Sequence, residues 1–286
     1  MRAPAMQLEQ LVTLFNKRFQ QERNIAEYPL RLARGKVEGK VGELRLTSVL
    51  KPLRLADSPL IVQGWEAVLR AFVESGSPHA ILDVFAGAED SSVINLDRLC
   101  RTVHMLNYLP KAWDDGVLFL EVNPRHVLSV KKNHGAYFEE VLASCGLTPR
   151  QVAVSVPFSH LSNSYQLALA QGLNNYRSRG YRLAVKLDQT RVEQIQQAAV
   201  FVTRLLPDYV KLEPAFLHDA AGHALSEQQH AAACRLVAVA RSAGGLAIQS
   251  GIETAGHLAE ALSWNAHLLE GEYFEQTAAQ RLRNAA

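Results

Sequence analysis

At 286 residues, 48% hydrophobic and 20% charged, the chain is long and apolar enough to bury a core without disulfide or metal staples. Its net charge of +2 gives no reason to expect a nucleic acid or a charged membrane surface as partner. Cys100, Cys145 and Cys234 are scattered with no C-x-x-C pair, which fits reduced thiols, and no apolar run approaches the ~20 residues a membrane span needs.

In chain order, the first residues lack the long apolar centre of a signal peptide, so a cytoplasmic protein is expected. Residues 6–24 read as an amphipathic helix, because Leu8, Leu11, Phe15 and Phe19 recur at spacings of three and four. That stripe either packs on the rest of the chain or is offered to a protein partner or a second copy in a homodimer. The run from Gly35 to Gly42 alternates polar and apolar residues between glycines and reads as a turn or short hairpin. It lacks the G-x-G-x-x-G spacing of a nucleotide loop. Residues 1–42 are set apart as an extension, and 43–280 as the main domain.

From residue 44 a repeating pattern begins. Strand-like runs cover 44–50, 60–65, 117–122, 152–156, 183–187, 208–212, 246–248 and 268–269. Helical stripes lie between them. Leu96, Leu99, Val103 and Leu106 form one, and Leu161, Tyr165, Leu169, Leu173 and Tyr176 another. Further helices are expected over 134–145, 191–205, 226–243 and 255–263. Alternation of strand and helix predicts a parallel sheet with crossover helices, and eight such strands predict a (β/α)8 barrel. Only a short loop containing Ala56, Asp57, Ser58 and Pro59 joins the first two runs. It has no room for a crossover helix, so these two strands are expected to pair antiparallel.

Chemistry in such a barrel gathers at the C-terminal ends of the strands. Those ends carry Glu66, Asn123, Ser155, Lys186, Asp188, Lys211, Glu213, Ser250, Glu253 and Glu270. Hard divalent cations want several oxygen ligands, and two lysines in the ring oppose them, so the residues alone give a weak metal signal. Ser155 and Ser250 lack the G-x-S-x-G setting of a nucleophile, and the ten histidines include no H-E-x-x-H. His126 and His160 read as solvated loop residues, and Asn123 reads equally as the cap of the following turn.

The same positions carry a resemblance. Gly64-Trp65-Glu66-Ala67-Val68-Leu69-Arg70 resembles the G-x-E-A-L-x-R signature of EAL domains, the cyclic-di-GMP phosphodiesterase family. Leu50-Lys51-Pro52-Leu53 is similar to its preceding strand. Phe85 to Glu89, followed by Ile94-Asn95-Leu96-Asp97, is similar to its F-I-x-x-A-E segment and later helix. Val122-Asn123-Pro124, Asp208-Tyr209-Val210-Lys211-Leu212-Glu213, Gly251-Ile252-Glu253-Thr254 and Leu269-Glu270-Gly271 follow the family order. The resemblance runs from about residue 44 to 276. It implies an EAL-type barrel with an antiparallel first strand.

It also implies a two-metal phosphodiesterase centre, but here the departures weigh more. Glu66, Asn123, Lys211 and Glu253 keep family positions. Ser155, Phe158, Lys186, Leu187 and Ser250 stand where the family has acids. Lys186 adds positive charge where cations would sit, and Coulomb repulsion opposes them. Lys186 is therefore expected to substitute for a metal and pair with Glu66. The resemblance thus implies a degenerate member with no catalytic residues, no Mg²⁺ and no cofactor. Its expected role is regulatory, in cyclic-di-GMP-related signalling, through protein–protein contacts. The alternative is a receptor that binds cyclic-di-GMP through Glu66, Arg70, Asn123 and Lys211 without hydrolysing it. Residual phosphodiesterase activity is the third reading.

Overall fold

The structure, a computed structural model, describes residues 7–23, 29–73, 77–80, 85, 90–112, 116–130, 134–158, 163–218 and 222–276. Helix α1 (Leu8–Arg23) leads into strands β1 (Leu30–Ala33), β2 (Lys36–Val41), β3 (Leu44–Leu55), β4 (Val62–Val73) and β5 (Pro78–His79). Then come α2 (Asp90–Tyr108), β6 (Val117–Glu121), α3 (Pro124–Ser129), α4 (Ala136–Ser144), β7 (Val152–Pro157) and α5 (Asn163–Ser178). The chain closes with β8 (Arg182–Leu187), α6 (Val192–Leu205), β9 (Tyr209–Leu212), α7 (Glu227–Ser242), β10 (Leu246–Gln249), α8 (Ala255–Ser263) and β11 (Leu268–Leu269).

Strands β3, β4 and β6 to β11 close a barrel. β4 and β6 to β11 run parallel in sequence order, and β3 pairs antiparallel with both β4 and β11. The first barrel strand is thus antiparallel, as the short β3–β4 connection requires. The expected later helices hold to within one or two residues at each end. Helix α3 was not expected from the pattern. In α5, Leu169, Leu173 and Tyr176 are buried, but Tyr165 is exposed and off the stripe, and Leu161 lies outside the described residues.

The two faces of each strand build two cores, because successive side chains point to opposite sides. One set fills the barrel: Leu53, Val117, Phe119, Ala153, Ala184, Tyr209, Ile248 and Leu268. The other set, including Leu118, Leu120, Val154, Leu183, Val185 and Val210, packs under the surrounding helices. Leu187 belongs to this outward set. So does Phe158, whose ring lies 5.6 Å from that of Phe201.

β3 and β4 are longer than their strand-like runs suggested, at 12 residues each, and extend past the barrel mouth. There β2 pairs with β3 and β5 with β4, giving a five-stranded antiparallel wing in the order β1-β2-β3-β4-β5. The Gly35–Gly42 run is the hairpin machinery of this wing. Arg34 and Gly35, both at positive φ, make the two-residue turn between β1 and β2, and Gly42 opens the next. The stripe of α1 packs on its own chain, with Leu11, Phe15 and Phe19 buried in the helix-side core. Asn16 of α1 fixes β1 by hydrogen bonds to both the carbonyl (2.8 Å) and the amide (2.9 Å) of Leu30.

Candidate functional site

The alternation that fills the barrel with apolar side chains continues one step further at the C-terminal ends of the strands, where it turns polar. Two residues beyond Leu53, Phe119, Ala184, Tyr209, Ile248 and Leu268, on the same face, stand Lys51, Glu121, Lys186, Lys211, Ser250 and Glu270. Glu66 belongs to the same inward row of β4, within the strand rather than at its end.

These side chains form one ionic lattice. Lys211 is almost completely buried and holds Glu66 by a short hydrogen bond and Glu270 at 2.9 Å, with Glu213 at 3.6 Å. Lys186 lies 2.7 Å from Glu121, 3.4 Å from Glu213 and 3.5 Å from Glu66. Lys51, half-exposed at the rim, reaches the other oxygen of Glu270 at 2.9 Å. Ser250 donates to Glu213 at 2.9 Å, with the Leu212 carbonyl at 3.2 Å. Three ammonium groups therefore face four carboxylates.

Burial alone would push the Glu66 carboxyl up, but the ammonium groups of Lys211 and Lys186 outweigh it and hold Glu66 far below the usual carboxylate range. Burial would likewise lower the two lysines. Glu66, Glu270 and Glu213 raise Lys211 instead, and Glu121, Glu66 and Glu213 raise Lys186. Both stay charged at physiological pH. Glu270 is pushed up, by burial and by the Glu66 carboxylate beside it, against the pull of Lys211 and Lys51. Glu270 thus lies inside the lattice, against Lys211 and Lys51, and of the Glu270-Gly271-Glu272 run only Glu272 is exposed. Gly271 is needed for the close approach here: a Cβ would sit 2.0 Å from the Ile252 carbonyl oxygen.

Other sequence-stressed residues lie elsewhere. Asn123 accepts a hydrogen bond from the Arg125 amide (2.9 Å) and so caps α3, while its own amide donates to Asp97 at 2.9 Å. Glu253 is exposed, its amide donating to His257 at 3.3 Å. Asp188 is also exposed. Ser155 is buried on the inward row of β7. Arg70 is exposed on β4 above the mouth. His126 is a correction to the solvated reading: it is buried, its Nδ1 3.2 Å from Asp97, which also pairs with Arg101 at 2.8 Å. His160 and Glu89 lie outside the described residues.

The residue that sequence reading missed is Glu121. Its signal was present, since it continues the inward alternation of Val117 and Phe119 by one step. The strand-like run 117–122 extends one residue past the strand, which ends at Glu121, and so points to Asn123 instead.

No protein-family model and no curated protein sequence matches the chain. Solved structures do. BlrP1 of Klebsiella pneumoniae, in a complex with manganese and cyclic-diGMP, superposes with a TM-score of 0.63 at 17% identity, covering 79% of this chain and 54% of BlrP1. BlrP1 with FMN and cyclic diGMP and no metal ions gives 0.58 at 15%, covering 79% of this chain and 51% of that one. An EAL domain protein of Listeria monocytogenes EGD-e gives 0.61 at 13%, covering 80% of this chain and 87% of that one. The chain thus spans about half the length of BlrP1. Among the described residues no helix is long and apolar enough to cross a membrane. The chain has the EAL-domain fold, a (β/α)8 barrel whose first strand runs antiparallel to its neighbours.

Proposed function

We propose that this chain is a non-hydrolysing, EAL-fold regulatory protein of cyclic-di-GMP-related signalling that acts through protein contacts. One observation carries the reading: Lys186 reaches into the mouth and lies within 3.5 Å of three carboxylates. In the neighbours that hold manganese or cyclic-diGMP, the fold serves nucleotide chemistry or recognition. Here the mouth carboxylates already carry ammonium partners.

A divalent cation fits this donor set poorly. Glu66, Glu121, Glu213 and Glu270 are the acids within reach, and each is engaged by Lys51, Lys186 or Lys211. A dication among them would stand beside the ammonium groups of Lys211 and Lys186, both largely removed from water, where little solvent screens the repulsion. What the chain's own residues do is pair with one another across the mouth.

The test is incubation of the purified protein with cyclic-di-GMP in Mg²⁺ or Mn²⁺. The expected result is no linear dinucleotide. Metal-dependent turnover at a rate well above buffer overturns the reading.

The receptor reading has one observation in its favour: BlrP1 also holds cyclic diGMP with no metal ions. Arg70, exposed above the mouth, and half-exposed Lys51 are the cations available to a phosphate. Calorimetric titration of cyclic-di-GMP with chelator present separates the two. Metal-independent heat favours a receptor, and silence at high ligand favours action through contacts alone.

A further inference from the structure

Cys234 stands part-buried on α7, in the helix layer outside the barrel. Its sulfur lies 3.7 Å from Nδ1 of His230, one helical turn earlier on the same face. The other ring nitrogen of His230, Nε2, meets α8 and its end: Glu260 Oε1 and Ser263 Oγ each stand 3.3 Å away. Trp264, which follows α8, backs the imidazole, with ring centroids 5.5 Å apart. A thiol, an imidazole and a carboxylate thus stand in series across two helices, the arrangement in which a base held by a third group activates a nucleophile.

The hydrogen bonds decide which ring nitrogen carries the proton. The Ser263 hydroxyl donates to the Glu260 backbone carbonyl at 2.7 Å, so toward His230 it can only accept. An ionised Glu260 carboxylate likewise only accepts. Nε2 therefore carries the hydrogen, and Nδ1 turns a bare lone pair toward the Cys234 thiol. The same carboxylate stabilises the imidazolium formed when that lone pair takes a proton.

We infer that Cys234 is a modification site, a thiol with its own oriented base, which exchanges with small-molecule disulfides to give a mixed disulfide. His230 takes the thiol proton on Nδ1 as the Cys234 sulfur attacks one sulfur of the disulfide. The new S–S bond forms as the old one breaks, and the departing thiolate takes the proton back from His230. One thiol and one disulfide become a mixed disulfide and a free thiol, and the disulfide is itself the oxidant. Burial and the Glu260 carboxylate push the Cys234 thiol up, against the pull of Arg235. The thiol therefore rests protonated, and attack waits on the imidazole. Cys100 is buried, and burial pushes its thiol up. Cys145 is part-buried like Cys234, with its thiol pushed up to about 12 by burial, and serves as the internal reference.

The test incubates the reduced full chain with glutathione disulfide at neutral pH and follows each cysteine by peptide mass mapping. Cys234 is expected to react at least about tenfold faster than Cys145, with Cys100 unmodified. His230→Gln should slow Cys234 by about tenfold and leave Cys145 unchanged. Glu260→Gln separates orientation from simple charge. A carboxylate that acts only as a nearby negative charge holds the thiol protonated, so its removal would speed the reaction. A carboxylate that orients His230 and steadies the imidazolium is missed instead, and a several-fold slowing is the expected result. Glu260 keeps 39% of its side-chain surface, so this variant serves if loss of the His230–Trp264 contact unfolds the first. Cys234 no faster than Cys145, a folded His230→Gln that reacts as the parent does, or a faster Glu260→Gln overturns the inference.

Discussion

Lys211 and Glu66 stand 145 residues apart in the chain and share a buried hydrogen bond inside the barrel mouth. Neither is stable there alone. Each is an ion removed from water, and each stays charged because the other is present. Replacing Lys211 by Met leaves Glu66 and Glu270 side by side without the cation between them. The expected cost is about 3–5 kcal/mol in urea unfolding. A Glu66→Leu, Lys211→Met double variant should recover much of that loss, because an apolar pair leaves no orphaned charge. A double variant as unstable as Lys211→Met alone would contradict the pairing.

Lys186 is partly accessible, so its removal should cost less. Lys186→Met is expected to lose roughly 1–3 kcal/mol, a discounted fraction of a fully buried pair. The more telling readout is metal. With the ammonium gone, Glu121 loses its cation, and Glu66 and Glu213 each keep only Lys211 as theirs. Millimolar Mn²⁺ should then raise the thermal midpoint of the variant by about 3 °C or more, as ligand linkage to the folded state requires. The parent protein should show no comparable shift. Equal shifts in both proteins would remove Lys186 from the role of built-in counter-ion.

Acid stability should be governed partly by His104, which faces Ser48 behind β3. Burial lowers its pKa from the ordinary 6.5 to about 4, although Asp97 and Glu66 pull it upward. Between those two values the unfolded chain takes up a proton that the folded chain does not. Stability therefore falls as pH drops from about 6.5 towards 4, by about 1.4 kcal/mol per pH unit for this group alone. Urea midpoints at pH 7 and pH 5 should differ accordingly, and His104→Asn should flatten the slope. An unchanged slope would mean that other groups carry the acid response.

Asn123 is bound into local structure through its side-chain cap on α3 and the hydrogen bond its backbone N–H donates to Asp97. Asn123→Ala should cost about 1 kcal/mol, the usual value of a lost N-cap. If cyclic-di-GMP binds at all, its titration should be unaltered by this change. A stability-neutral Asn123→Ala that abolishes nucleotide binding would return the side chain to ligand duty.

Much of the barrel was legible in the amino-acid order because its causes are local. Period-two runs, helical stripes and a β3–β4 loop too short for a helix dictate eight strands with an antiparallel opening. Part of the inward polar row, Lys186, Lys211, Ser250 and Glu270, was legible as strand ends, whereas Glu121 was not. Leu187, one residue beyond Lys186, shows the limit of motif matching: the resemblance sets it beside Lys186 among the site positions, yet it faces the helices. One step of alternation decides which side of the sheet a residue serves.

By itself, then, the amino-acid order determined the strand and helix sequence and the antiparallel start, and it placed lysines and serines among the acids at the strand ends. Only the tertiary structure decided which charges meet. Closure of the barrel set Lys211 against Glu66 and Glu270, brought Glu121 to Lys186, and left Glu253 outside the lattice. Those pairings depend on the relative height of neighbouring strands and on side chains tens of residues apart. No local pattern encodes that height, because it is fixed only when the last strand, β11, closes on the first barrel strand, β3.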